Sequence, residues 1–285
     1  MEDVNRMDPN APRILESLKF PFRLILVTGS ARSGTTVTHA ALCTPNNVNQ
    51  YVPEASSFTA VAGLYYKLAG TYDVHHYGIF GDQQNFGLYF AGLMRYALIT
   101  IWENLGKPEV LCLKDPYLMK YVPLILQLVP EAKFVISIRN PLDTIASLKT
   151  VLLKRGSPDL KKELIGCMQH YKDSYQSAFH KGVDQNLYSK VYRLKYEDFV
   201  KKTEFKKLSE FLDINIDESK IWQDSSVKKD GNEYSTDLLW NKIDSSSIDN
   251  FKEVLTQEEI NQALEITEPV LKEIGYEDYL KYKTN

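Results

Sequence analysis

The chain has 285 residues, 44% of them hydrophobic and 25% charged, long enough to bury a full core in one large α/β domain. Its net charge of −3 argues against a surface that tracks nucleic acid, so any anion site must be local. No apolar run approaches the ~20 residues of a membrane span, and residues 1–20 lack a signal-peptide core. Cys43, Cys112 and Cys167 are odd in number and widely spaced, which reads as free thiols of a reducing cytoplasm rather than a disulfide or zinc framework. The expectation is a cytoplasmic chain that holds no metal and engages neither nucleic acid nor membrane; a homodimer is compatible with it.

Arg23–Thr28 is a continuous apolar run, as expected of a central parallel strand covered on both faces. Gly29–Gly34 is a turn, and Thr35–Cys43 has a helical pattern that Thr44-Pro45-Asn46-Asn47 stops. Phe58 to Trp102 holds eleven aromatics in 45 residues, about twice the density of the whole chain. This stretch reads either as a helical insertion packing its rings inward or as an aromatic wall for an organic acceptor. Val110–Leu113 is a second strand ending at Lys114-Asp115-Pro116, with a helix predicted over Tyr117–Val129. Lys133–Ile138 is a third strand, closed by Arg139-Asn140-Pro141 and followed by a helix over Leu142–Leu153. Ser189–Leu194 is a fourth, with Tyr196-Glu197-Asp198 opening the next helix; Thr256–Ile274 is an amphipathic helix with a capping-box start. Strands alternating with helices predict a single α/β domain over residues 1–285, its central, mostly parallel sheet flanked by helices. The core spans about residues 22–276, and 55–105 form an aromatic-rich helical insertion on the acceptor side.

The turn GSARSGTT, Gly29 to Thr36, aims backbone N–H groups and the positive end of a helix dipole at one point. Ser33, Thr35 and Thr36 add hydroxyls. The lysine that would follow Gly34 in a nucleoside-triphosphate binder is absent. The second and third strands end in Lys114 and Arg139, not in an acidic residue suited to Mg²⁺. A ligand bound without metal needs protein cations, and Arg32, Lys114 and Arg139 lie at strand C-termini, where open α/β sheets bind ligands.

These residues resemble the sulfotransferases that use 3′-phosphoadenosine-5′-phosphosulfate. The loop is similar to their 5′-phosphosulfate loop, in the RSGTT form of the tyrosylprotein and bacterial branch. Phe134 to Ser147, FVISIRNPLDTIAS, is similar to their 3′-phosphate segment, a strand ending in Arg139 with Ser147 eight residues on. Lys114-Asp115-Pro116 resembles the Lys-Asp-Pro of that branch, Tyr196 its strand-end tyrosine near the nucleotide, and Glu54 its catalytic glutamate. The C-terminal clamp is only partly matched by Ser247-Ile-Asp-Asn-Phe251, and the histidine base of the cytosolic small-molecule branch is missing.

The resemblance implies the P-loop-like sulfotransferase fold and metal-free binding of the phosphosulfate donor, with adenosine 3′,5′-bisphosphate as product. Ser30, Ala31, Arg32, Ser33, Gly34, Thr35, Thr36, Arg139, Ser147, Tyr196 and Ser247 are its expected contacts. Arg32 and Lys114 are expected to stabilise the leaving phosphate and Glu54 to act as base; Phe58, His75, His76 and Asp115 are candidates for the acceptor. His39, one turn past Thr35, reads as a packed residue, and Lys228-Lys229 as an exposed charge pair, with closure over the nucleotide as the alternative. The expected reaction is sulfonate transfer to a hydroxyl or amine of a small, natural-product-like acceptor. A protein-tyrosine sulfotransferase, a P-loop small-molecule kinase and a non-catalytic nucleotide-binding module stay open at this point.

Overall fold

Each residue of the first strand after Arg23 is buried, and successive side chains enter different cores. Leu24 and Leu26 join one apolar cluster with Leu111, Leu113, Phe134 and Ile136, whereas Ile25 and Val27 join a second with Cys112, Val135 and Leu194. This two-sided burial is why the run reads as continuously apolar. The computed structural model describes residues 19–179, 185–221 and 245–284. Lys228 and Lys229 lie outside the described residues.

Four parallel strands, β1 (Arg23–Gly29), β2 (Val110–Lys114), β3 (Lys133–Ile138) and β4 (Val191–Lys195), form one sheet in the order β2-β1-β3-β4. Val27 aligns with Lys114 on one side and Val135 on the other, and Ser137 with Leu194, so all four C-terminal ends share one edge. Helix α1 (Thr35–Leu42) leaves the β1 turn. Helices α2 (Ser56–Ala69) and α3 (Gln83–Asn104), with single turns Tyr72–His75 and Tyr77–Phe80 between them, make up the aromatic stretch. A 3₁₀ segment at Pro116–Tyr121 leads into α4 (Val122–Leu128). Helix α5 (Pro141–Lys154) follows β3, capped by the Asn140 side chain, and α6 (Leu160–Ala178) packs beside it. Beyond β4 come α7 (Tyr196–Val200), α8 (Phe205–Leu212) and α9 (Gln257–Ile274), the last opened by the Thr256–Glu259 capping box.

Differences from the sequence reading have local causes. The helix predicted over Tyr117–Val129 is split, because Pro123 has no N–H to donate and the preceding turn tightens to 3₁₀. Ser189 and Lys190 belong to a 3₁₀ turn, so β4 begins two residues later than predicted. Helix α6 has no counterpart among the predicted elements. In the aromatic stretch the rings converge on Phe86, whose centroid lies 5.0–5.4 Å from those of Tyr65, Tyr72, His76, Phe80 and Phe90. Edge-to-face and offset stacking at such spacing is a packing solution. The insertion therefore keeps most of its rings for its own core.

Candidate active site

The turn after β1 is held rigidly. Gly29 adopts a φ of 156°, and a Cβ there would stand 2.3 Å from the Ser137 carbonyl oxygen. Ser137 Oγ donates to the Ser33 carbonyl (2.5 Å), and Ser33 N–H closes the turn on Ser30 O (3.1 Å). Ser30 N–H lies 3.5 Å from the Tyr175 hydroxyl, which itself donates to Ser137 O (3.1 Å). Arg32 takes a left-handed conformation (φ 69°), an arrangement non-glycine residues adopt at a cost of about 1–3 kcal/mol. Ala31 precedes it within the turn. Gly34 (φ 91°) caps α1, leaving the first-turn N–H groups of Thr35 and Thr36 without carbonyl partners inside the helix.

Three of the four strand ends contribute a side chain at this turn, and the fourth contributes Lys114 on the same edge of the sheet. From β1 comes Arg32, whose Nε donates to Ser147 Oγ on α5 (3.2 Å). From β3 comes Arg139, which donates to the Arg32 carbonyl (3.3 Å) and the Ser247 carbonyl (2.6 Å). Its guanidinium lies 4.7 Å over the ring of Tyr196, the residue following β4. The Tyr196 hydroxyl and Ser247 Oγ share a hydrogen bond of 2.8 Å. Ser147 thus reaches the site through Arg32, whereas Ser247 and Tyr196 pair with Arg139. Burial, followed by the like charge of Arg139, pulls the Arg32 pKa down. Arg139 Nε is buried and has no hydrogen-bond partner among the described residues. Two close guanidiniums, an orphaned donor and open helix N–H groups fit a multiply charged anion.

From β2 comes Lys114, almost fully buried, with Nζ 2.9 Å from Glu54 Oε1; the Glu54 side chain is 48% exposed. The pairing is built from the backbone, since Ala55 N–H donates to the Lys114 carbonyl (2.9 Å). Asp115 caps the following 3₁₀ turn by accepting from Tyr117 N–H (2.8 Å), and also accepts from Thr59 Oγ1 (2.7 Å). Burial raises its pKa, against the lowering effect of those two donors. Tyr51, near Glu54 and Cys43, has its phenol pushed up to about 12, first by burial and then by the Glu54 charge.

A cavity of about 540 Å³ opens at the Thr59–Asp115 contact, lined also by Gly63 of α2, Tyr117 and Tyr121 after β2, and His170 of α6. Asp115 is therefore on its wall. The other acceptor candidates are not. Phe58 is 0% exposed and belongs to the core; the position faces inward where α2 packs against α3 and the 3₁₀ segment Pro116–Tyr121. His76 stacks on Phe86, and neither it nor His75 lines the cavity. His39 is buried, as expected of a packed residue. Sequence reasoning missed α6, which supplies His170 to the cavity and two buried tyrosines: Tyr171, whose hydroxyl donates to Arg139 O (2.7 Å), and Tyr175 beneath the turn. The signal was present: Leu164, Met168, Tyr171, Tyr175 and Ala178 recur at helical spacing.

A glycine-bounded strand-to-helix turn on a parallel α/β sheet, with cationic side chains at its strand ends, defines a class of α/β proteins suited to holding an anion there. Within it the assignment is specific: the model of the sulfotransferase family matches residues 25–218, and the chain belongs to that family. Among solved structures it is similar to the sulfotransferase domain from the curacin biosynthetic pathway (16% identity, TM-score 0.58, covering 90% of this chain and 99% of that one). It is similar also to the sulfotransferase domain of the Synechococcus PCC 7002 olefin synthase (14%, 0.53, 87% and 93%). A third likeness is to sulfotransferase STF9 from Mycobacterium avium (13%, 0.52, 93% and 79%). At such identities these likenesses show the fold. A search of curated protein sequences returned no match. No helix among the described residues is long and apolar enough to cross a membrane.

Proposed function

We propose that the protein transfers the sulfonate group of 3′-phosphoadenosine-5′-phosphosulfate to a hydroxyl or amine of a small, natural-product-like acceptor. One observation carries this reading: Arg32 and Arg139 meet at the turn before the open N-terminus of α1, and the neighbouring strand β2 ends in Lys114, 2.9 Å from Glu54. The donor supplies an electrophilic sulfonate; everything else falls to this chain's residues. The N–H groups and hydroxyls of Thr35 and Thr36 hold the 5′-phosphate at the helix N-terminus. Arg139, with Ser247 and Tyr196 around it, meets the 3′-phosphate, and Ser147 orients Arg32. Lys114 and Arg32 offset the negative charge that grows on the leaving phosphate oxygen. The Glu54 carboxylate accepts the acceptor's proton, its position fixed by Lys114. The cavity holds the acceptor, and its volume lies in the range typical of small-molecule sites. The curacin-pathway and olefin-synthase origins of two structural neighbours support a biosynthetic acceptor over a protein one.

A thermal-shift comparison tests the reading. Adenosine 3′,5′-bisphosphate without metal is expected to raise the melting temperature, and Mg·ATP to leave it unchanged. The reverse pattern would make the protein a kinase-like nucleotide binder and overturn the proposal.

A further inference from the structure

Cys43 and Cys112 are 69 positions apart in the chain, yet the fold brings them together with His39. His39 on α1 and Cys43, the C-cap residue four positions on, share one side of the helix. Cys112 is the middle residue of β2 and faces the second core, whereas its neighbours Leu111 and Leu113 face the first. A ring nitrogen of His39 and the two sulfurs lie within 4.8 Å of one another. His39 and Cys112 are fully buried, and half-buried Cys43 gives the cluster an edge toward solvent.

One nitrogen of the imidazole is engaged by the backbone. Its Nε2 is 3.1 Å from the Cys112 carbonyl oxygen, which can only accept, so Nε2 carries the proton. The lone pair then rests on Nδ1, which is buried and has no hydrogen-bond partner among the described residues. A buried unpaired acceptor is costly, and a histidine whose far N–H is tied to a carbonyl is the usual arrangement around a bound metal. Asn49 fixes the strand at this point, accepting from Cys112 N–H (2.6 Å) and donating to Cys112 O (3.0 Å). All three cysteines are free thiols.

We propose that His39, Cys43 and Cys112 form a binding site for a soft d¹⁰ cation, zinc(II) or copper(I). Two thiolates and one imidazole suit both: copper(I) as a three-coordinate ion, zinc with a fourth ligand from solvent. Binding displaces the two thiol protons to solvent, and no oxidant or reductant enters. The consequence is mechanical. Helix α1 starts at the phosphate turn and β2 ends at Lys114, so an ion here ties the two together from behind. The sequence reading passed over the site because the spacing, one residue pair on a helix and a third ligand far along the chain, matches no zinc motif.

The test uses the tag-free full chain, stripped with chelator and kept reduced by a phosphine. It is titrated with Zn²⁺ alone, and separately with Cu⁺ alone, against a chromophoric competitor. One ion per chain is expected for at least one metal, and the two arms identify which. Cys43→Ser and Cys112→Ser should each weaken binding by about tenfold or more, with Cys167→Ser unchanged. Cobalt(II) substitution should give thiolate-to-metal charge-transfer absorption that fades in Cys43→Ser. Cys43→Ser, at the less buried position, keeps the test decisive if Cys112→Ser unfolds the strand. Sub-stoichiometric binding of both metals, or binding that survives both substitutions, overturns the proposal, as does recovery of Cys43–Cys112 as a disulfide without metal uptake.

Discussion

A methyl group at position 34 would stand 2.3 Å from Cδ2 of Tyr196 and 2.7 Å from its Cε2, on a backbone with φ of 91°. Gly34→Ala therefore acts in two ways. The left-handed conformation costs an L-residue about 1–2 kcal/mol, which appears in folding. To restore a carbon–carbon contact of about 3.5 Å the ring must retreat by about 1 Å. That movement breaks its 2.8 Å hydrogen bond to Ser247 and its stacking beneath Arg139. The hydrogen bond is worth about 1 kcal/mol and the cation–π contact about 1 kcal/mol. The resulting ~2 kcal/mol falls on the arrangement proposed to meet the nucleotide, equivalent to about a thirtyfold loss of affinity. Isothermal titration calorimetry with adenosine 3′,5′-bisphosphate measures it directly, and a thermal melt should fall by about 3–6 °C. Gly92→Ala is the control, since a Cβ there meets nothing within 4 Å. Affinity within about twofold of the parent, with an unchanged melt, would refute the role given to the Gly34–Tyr196–Arg139 packing.

Glu54→Gln keeps the shape of the side chain but removes its basicity; kcat is expected to fall about 10²–10³-fold while bisphosphate affinity moves by less than about threefold. Asp143 is buried and accepts from Asn140 Nδ2 and from the N–H groups of Asp249 and Phe251, tying the Ser247 segment to α5. Asp143→Ala leaves those donors unsatisfied, so stability should drop by about 2–4 kcal/mol in denaturant titration and donor KM should rise more than kcat falls. Burial raises the Asp115 pKa, so its contribution to stability is complete below the ordinary carboxylate value and declines as pH rises through the raised one. Asp115→Asn should remove that decline, and melts between about pH 4 and pH 7 should show a flatter profile than the parent.

How much of this was legible in the chain varies with the range of the chemistry involved. The β1 turn and the Arg139–α5 segment were readable because glycine, arginine and an N-capping asparagine state their roles locally. The Thr256 capping box was readable for the same reason. Asp115 was assigned to the acceptor side and does line the cavity. Phe58, His75 and His76 were acceptor candidates from the aromatic-rich stretch, where local sequence does not distinguish residues that pack inward from residues that face a cavity. Helix α6 carried a clear apolar period, but its polar surface residues diluted the signal, and with it went Tyr171, Tyr175 and His170. The pairing of Glu54 with Lys114 and the meeting of Cys43 with Cys112 depend on strand order, which no local pattern encodes.

Sulfonate transfer itself is measured most directly with radiolabelled 3′-phosphoadenosine-5′-phosphosulfate and a panel of hydroxylated and amine acceptors, analysed by chromatography. Label is expected to move to at least one small acceptor without added metal, and Arg32→Ala and Lys114→Met are each expected to abolish that movement. Donor that stays intact across the panel, or transfer that persists undiminished in both variants, would contradict the account.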